Sequence, residues 1–110
     1  MGVAVNKLGF LTAALLALAM FGCSKPGSTA SQAPDAVRGK DIFEAHCSSC
    51  HGTSGEGGTN GPAITGERKH MNLNAAIAWI KNPAAPMPKL YPDALSDQDV
   101  ADVAAYVETL

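Results

Sequence analysis

Only the segment from about Asp35 to Leu110 has the mixed polar and apolar composition of a folded domain. That leaves roughly 76 residues from which a hydrophobic core can be built. A core of this size is marginally stable by itself, so domains of this length usually contain a disulfide, a metal or a large buried cofactor. The chain is therefore expected to contain residues that hold such a group.

Cys47, Cys50 and His51 form the pattern C-x-x-C-H, the most specific pattern in the chain. Apolar and small residues at helical spacing predict a helix over residues 34–51 that ends at this pattern. Cysteines three residues apart on a helix lie on the same side. Both thiols could then add to the vinyl groups along one porphyrin edge, with the adjacent imidazole on the iron. The pattern is that of c-type haem attachment, so one covalent haem c is the predicted cofactor.

Two other interpretations of the cysteine pair fit the sequence less well. A redox-active disulfide of the thioredoxin kind needs a βαβ context, and the sequence has no strand pattern. Half of a zinc site would need a second Cys or His pair at ligand spacing. His46 and His70 are isolated and are expected on the surface.

The second axial ligand decides what such a haem can do, because an open iron face would bind gases or peroxide. The downstream candidates are Lys69, His70, Met71 and Met87. Prolines on both sides of Met87 stiffen its backbone and exclude a helix, so its thioether can be held towards the iron. We expect His51 and Met87 to be the metal ligands, and Met71 to pack or to lie on the surface.

The N-terminal residues have the character of an export signal. Lys7 precedes the apolar run 8–21, which is shorter than the about 20 residues that a membrane span needs. The run ends at Cys23 and resembles the bacterial lipoprotein signal, in which that cysteine is acylated, although Met20 and Phe21 depart from the pattern. An ordinary signal peptide cut elsewhere and an uncleaved anchor are the alternatives.

These features divide the chain into a signal peptide at 1–22, a tether at 23–34 and a folded domain at 35–110. The tether is rich in small and polar residues and contains two prolines. We expect the domain to lie outside the cytoplasm, on the periplasmic side of a membrane, with acylated Cys23 at the membrane surface. The net charge of −2 provides no basic surface, so no nucleic-acid partner is expected.

Four further features follow one another along the folded segment: Gly39 and Phe43 with Tyr106 on the last helix, Gly61-Pro62, Trp79-Ile80-Lys81-Asn82-Pro83, and Met87-Pro88. Together with C-x-x-C-H they resemble the small bacterial class I cytochromes c across roughly residues 36–110. The resemblance implies an all-α fold, with three to four short helices around one covalently bound haem.

The resemblance also implies contacts within that fold. Gly39 and Phe43 would pack against the C-terminal helix that carries Tyr106. The carbonyl of Pro62 would accept a hydrogen bond from His51 and thereby fix the imidazole ring. Trp79 would either donate its indole N–H to a haem propionate or be a plain core tryptophan, and both alternatives stay open.

Glycines and apolar periodicity predict the remaining elements. Residues 52–66 contain six glycines and are expected to form a loop around one haem edge. A helix that Pro83 ends is predicted from three apolar residues at helical spacing, Leu73, Ile77 and Ile80. The last helix begins at a capping box of Ser96 and Asp99. Its predicted apolar face contains Val100, Val103, Ala104, Val107 and Leu110.

Histidine and methionine ligation would fill the coordination sites of the iron and raise its reduction potential. The expected function is therefore electron transfer, and no enzyme activity is expected. The expected partners are redox proteins, a membrane oxidoreductase or a terminal oxidase or reductase of a respiratory or photosynthetic chain. A monomeric, tethered shuttle would meet them briefly at a haem edge near Cys47, Cys50 and Ala85. The alternatives are a haem domain whose methionine is labile or missing, which binds small ligands or peroxide, and a redox-sensing accessory subunit.

Overall fold

The computed structural model describes residues 32–110, so the predicted signal peptide, Cys23 and most of the tether lie outside the described residues. Over 32–110 the chain forms four α-helices and no strand, which confirms the all-α prediction. The helices are α1 (Ala36–His46), α2 (Ser48–His51), α3 (Leu73–Lys81) and α4 (Asp97–Val107), with a 3-10 turn at Glu67–Lys69. In this part of the chain no helix is long and apolar enough to cross a membrane.

The single helix predicted over residues 34–51 is two helices in the structure. The Asp35 carboxylate caps the start of α1 by accepting two backbone N–H bonds. The backbone leaves regular helix geometry at Cys47, with φ −118° and ψ −33°, although the Cys47 N–H still donates to Phe43 O at 2.8 Å. Because the helical register continues through Cys47, the spacing of the apolar residues does not reveal the break. Gly52, with φ +83°, then ends α2 in a conformation that favours glycine.

Helices α1 and α4 touch at Gly39, and this contact lies at the centre of the domain. A Cβ built on Gly39 would lie 2.0 Å from the backbone carbonyl oxygen of Asp102, so no side chain fits there. One turn further along α1, the fully buried Phe43 ring lies 5.3 Å from the Tyr106 ring, with the planes tilted by 59°. These are the contacts that the family resemblance implied. Three residues of the predicted apolar face of α4 complete this part of the core, Val100, Val103 and Ala104.

Asp102 is a buried charge that the sequence analysis did not identify. Its Oδ1 accepts hydrogen bonds from the Asp35 N–H and from Gln98 Nε2, both at 2.8 Å. Arg38 Nη2 lies 3.0 Å from Oδ2, a charge contact without hydrogen-bond geometry. Just before α1, the Gln32 N–H donates to Gln98 Oε1 at 3.1 Å. The Asp102 carboxylate therefore joins the start of α1 to α4.

Helix α3 contains the three apolar residues that predict it, and it ends where the sequence predicts. Asn72 caps it, with its side-chain oxygen accepting the Ala75 N–H at 2.9 Å, and it ends before Pro83. The most deeply buried residue of α3 is Ala76, at 6% exposure, and not one of the three larger apolar residues that define the periodicity. Ala76 lies three residues after Leu73 and four before Ile80, so it shares their face.

The capping box predicted at the start of α4 is present. The Asp99 N–H donates to Ser96 Oγ at 3.2 Å, and the Ser96 N–H donates to the Asp99 carboxylate at 3.0 Å. Hydrogen bonds from the Ser96 hydroxyl and backbone, and then the Arg38 charge, hold the pKa of Asp99 below its usual value. Asp99 is thus ionised at neutral pH, where a negative charge in the first turn stabilises the helix dipole.

Gly39→Ala should destabilise the holoprotein by about 1–3 kcal/mol in a guanidinium titration, because the added methyl group forces α1 and α4 apart. Helix propensity alone would predict the opposite, a gain of about 1 kcal/mol. Ala45→Gly is the control, because it changes the helix propensity at an exposed position of α1, away from the contact with α4. A Gly39→Ala protein more stable than the wild type would contradict the close approach of the two helices.

Candidate functional site

A cavity of about 670 Å³ lies between the four helices and the two long loops, and its lining is mostly apolar. This volume is in the range of ordinary cofactor sites. Every predicted site residue among the described residues lines the cavity: Cys47, Cys50, His51, Pro62, Trp79 and Met87. The structure therefore brings together two thiols, an imidazole and a thioether that are up to 40 residues apart in the sequence.

Helix α2 sets the spacing of the two thiols and the imidazole. The N–H groups of Cys50 and His51 both donate to the carbonyl of Cys47, at 3.2 and 3.0 Å. Both cysteines are half-buried, and neither is joined by a disulfide to another residue within 32–110. Burial, with a smaller contribution from Cys50, raises the pKa of the Cys47 thiol to about 11, so this thiol is protonated at neutral pH.

The glycine-rich loop at residues 52–66 folds back onto α2 and fixes the histidine ring. A Cβ on Gly61 would lie 2.8 Å from the carbonyl oxygen of Cys50, so the loop backbone packs directly against the α2 backbone. The next residue, Pro62, places its carbonyl oxygen 2.9 Å from His51 Nδ1. A carbonyl oxygen only accepts, so Nδ1 carries the proton and Nε2 keeps its lone pair for a metal. This contact is the one that the family resemblance implied.

Met87 reaches the cavity from the loop between α3 and α4, residues 82–96. Its N–H donates to Ala84 O at 3.2 Å, and its side chain is half-buried. Leu90 and Leu95 line the same cavity, and Leu95 is only 2% exposed. These two apolar side chains fasten the second half of the loop to the domain.

Met71, which was expected to pack or to lie on the surface, also lines the cavity. The Met71 N–H donates to Glu67 O at 2.8 Å, so the 3-10 turn places it at the cavity wall. Residue spacing could not reveal this, because the turn that directs Met71 inward has no periodic pattern. Lys69 and His70, the other candidates for the second ligand, are exposed and do not line the cavity.

Trp79 and three further polar side chains, His46, Asn60 and Glu67, also line the cavity. Trp79 is 46% exposed, which fits a position at the cavity edge better than a core position. His46 is exposed, as expected, but it also borders the cavity. Glu67 is the one carboxylate among the described lining residues, and the sequence analysis did not single it out.

The donor set fits a covalently attached haem. Cysteine thiols, a histidine with Nε2 free and methionine thioethers are the groups that attach haem c and ligate its iron. The mostly apolar wall suits the porphyrin ring. Among the described residues, no cluster of three or more His, Cys, Asp or Glu could hold a separate metal ion.

Residues 34–107 match the family described as cytochrome C oxidase, cbb3-type, subunit III. A cytochrome c-553-like protein of Synechocystis sp. is 31% identical over 107 residues, covering 93% of this chain and 98% of that protein. Thiosulfate dehydrogenase of Thiomonas intermedia is 40% identical over 86 residues, covering 70% of this chain, but the match spans only 27% of that protein. The structure of cytochrome c6 from the diatom Phaeodactylum tricornutum aligns with a TM-score of 0.56 at 28% identity, covering 68% of this chain and 92% of that one.

Gly61→Ala should displace the loop from α2 and weaken the contact between His51 and Pro62. The imidazole then becomes a poorer donor. The reduction potential should rise by up to about 60 mV, the one-electron equivalent of a typical hydrogen bond. Gly58→Ala is the matched control, since its Cβ would lie 3.5 Å from the same Cys50 carbonyl, an ordinary contact. Equal potentials for the two variants in a spectroelectrochemical titration would contradict this role of the loop.

Proposed function

Because the chain belongs to the cytochrome c family described as cytochrome C oxidase, cbb3-type, subunit III, we propose that it is an exported electron carrier with histidine and methionine ligation. One covalent haem c is its cofactor. The observation that supports the ligation is the meeting of two thiols, one imidazole and a thioether at one apolar cavity. When bound, the haem iron supplies reversible one-electron chemistry.

In this proposal Cys47 and Cys50 would hold the porphyrin through thioether bonds, and His51 and Met87 would ligate its iron. The Pro62 carbonyl keeps the His51 ring in one orientation and one tautomer, and it increases the donor strength of Nε2. The soft thioether of Met87 favours reduced iron and raises the potential. If His51 and Met87 both ligate the iron, the iron would keep no position for a substrate, and electron transfer would be the activity that this ligation favours.

We further propose that redox partners dock where the cavity opens. Ala84, Ala85 and Pro86 line the cavity and are exposed, so small apolar groups border its mouth. Such a surface suits brief encounters with a membrane oxidoreductase or a terminal oxidase or reductase. Trp79 lines the cavity and is 46% exposed, which supports a contact with the haem periphery in this proposal.

A second candidate function is a haem with an exchangeable sixth ligand. Two observations favour it: Met71 shares the cavity with Met87, and one relative is an enzyme, a thiosulfate dehydrogenase. The chain spans about a quarter of that enzyme's length, so it would supply only a haem domain to such chemistry. In this alternative the iron would bind small ligands or peroxide when the thioether leaves.

Met87→Ala should abolish the weak near-infrared band of the iron–thioether bond in the oxidised protein. It should also lower the reduction potential by roughly 0.1–0.3 V, within the range of about 0.8 V that axial ligands set. Met71→Ala is the matched control and should retain both the band and the potential. Loss of the band in Met71→Ala with retention in Met87→Ala would assign the ligand to Met71, and a wild type without the band would favour the second candidate.

The mature protein purified from membranes should begin at Cys23 and carry the mass of acyl chains on it, because a lipoprotein-type anchor needs the Cys23 sulfur for acylation. Intact mass spectrometry measures this increment, which Cys23→Ala should abolish and which Ser24→Ala, the control that leaves the thiol in place, should retain. Absence of acyl mass from both the wild type and Ser24→Ala would mean that Cys23 does not anchor the chain.

A further inference from the structure

The loop between α3 and α4 is closed on its outer side by three side chains. Lys81 is the last residue of α3 and Asp97 is the first residue of α4, and the two form an ion pair. Lys81 Nζ also lies 4.7 Å from the centroid of the Tyr91 ring, a cation–π contact within the loop. We call these three residues the loop clamp. None of them lines the cavity.

The loop clamp encloses the segment that carries Met87. Residues 82–90, here the methionine segment, run from the end of α3 to the residue before Tyr91. Within the described residues, this segment contains one internal backbone hydrogen bond, from Met87 N–H to Ala84 O at 3.2 Å, and no side-chain hydrogen bond. The cation–π contact between Lys81 and Tyr91 joins the two residues that flank the methionine segment.

The half of the loop beyond Tyr91 is held differently. The N–H groups of Ala94 and Leu95 both donate to Leu90 O, at 2.7 and 3.1 Å, and Leu95 is almost fully buried. Tyr91 thus lies in a fixed part of the loop. Closing the methionine segment against it costs chain entropy, which the contacts of the loop clamp offset.

We propose that Lys81, Tyr91 and Asp97 are positioning residues that keep the methionine segment closed and so set how often the Met87 thioether leaves the haem iron. This inference rests on the proposed ligation by Met87. The Lys81 and Asp97 side chains are 31% and 74% exposed, so their attraction is modest and is screened by salt. The loop clamp therefore makes ligand release sensitive to ionic strength.

The test is the rate of imidazole binding to the oxidised holoprotein at saturating imidazole, where departure of the sixth ligand limits the rate. Lys81→Met keeps an unbranched apolar side chain near Tyr91 but removes the charge, and it should raise this rate by about two- to fivefold at low salt. Lys81→Arg keeps the charge and should restore a rate close to that of the wild type. Added salt should speed the wild type towards Lys81→Met and leave that variant nearly unchanged.

Lys40→Met is the matched control, because Lys40 also forms a solvent-exposed ion pair, with Glu44 on α1, where the two side chains are 53% and 50% exposed. It should bind imidazole at the wild-type rate. Asp97 is not substituted, since a charge change in the first turn of α4 would also affect the helix dipole.

Hydrogen exchange gives a second measurement, with faster exchange expected in residues 82–90 of Lys81→Met and unchanged exchange in α1. If Lys81→Met yields no holoprotein, Tyr91→Leu removes the cation–π contact and should raise the rate in the same direction.

Two results would overturn the proposal in distinguishable ways. A wild type that shows the iron–thioether band, with Lys81→Met and Tyr91→Leu both binding imidazole at the wild-type rate, would refute the loop clamp and leave the ligation intact. A wild type without the band, or a Met87→Ala protein that retains it, would refute the ligation by Met87 and the loop clamp with it.

Discussion

The contact between α1 and α4 at Gly39 is the constraint on which the rest of the domain depends. The Asp102 carbonyl leaves no room for a side chain at Gly39, so the two helix backbones are held together at one point. From there α1 leads through buried Phe43 to the cysteines, and α4 contributes Val103 and Val107 to the cavity wall. The buried Asp102 carboxylate reinforces the same junction through the Asp35 N–H. One close backbone contact thus positions both α2, which contains Cys50 and His51, and the wall opposite the loops.

The small core and the cofactor site are largely the same set of residues. Of the six buried apolar residues among those described, four also line the cavity: Phe43, Ala76, Leu95 and Val103. A haem in this cavity therefore completes the hydrophobic core that roughly 76 residues cannot build alone. Ligand binding to the native state adds directly to its stability. Attachment of the cofactor and folding of the domain are consequently linked.

The sequence predicted the parts of the site whose signal is local. Neighbouring residues alone define three such features: C-x-x-C-H, the capping box at Ser96 and the end of α3 at Pro83. The family and fold comparisons confirm the cytochrome c fold and its one haem c. The break at Cys47 was missed because the register continues through it. The inward position of Met71 and the burial of Asp102 depend on tertiary contacts, and no periodic pattern in the sequence indicates them.

The proposed function depends on haem being bonded to the thiols of Cys47 and Cys50. The most direct measurement is the mass of the peptide spanning residues 47–51, obtained by proteolysis of the mature protein after acid extraction of non-covalent haem. One haem should be retained on this peptide, with no free thiol at either cysteine. A colourless peptide with two free thiols, and haem released into the extract, would contradict it.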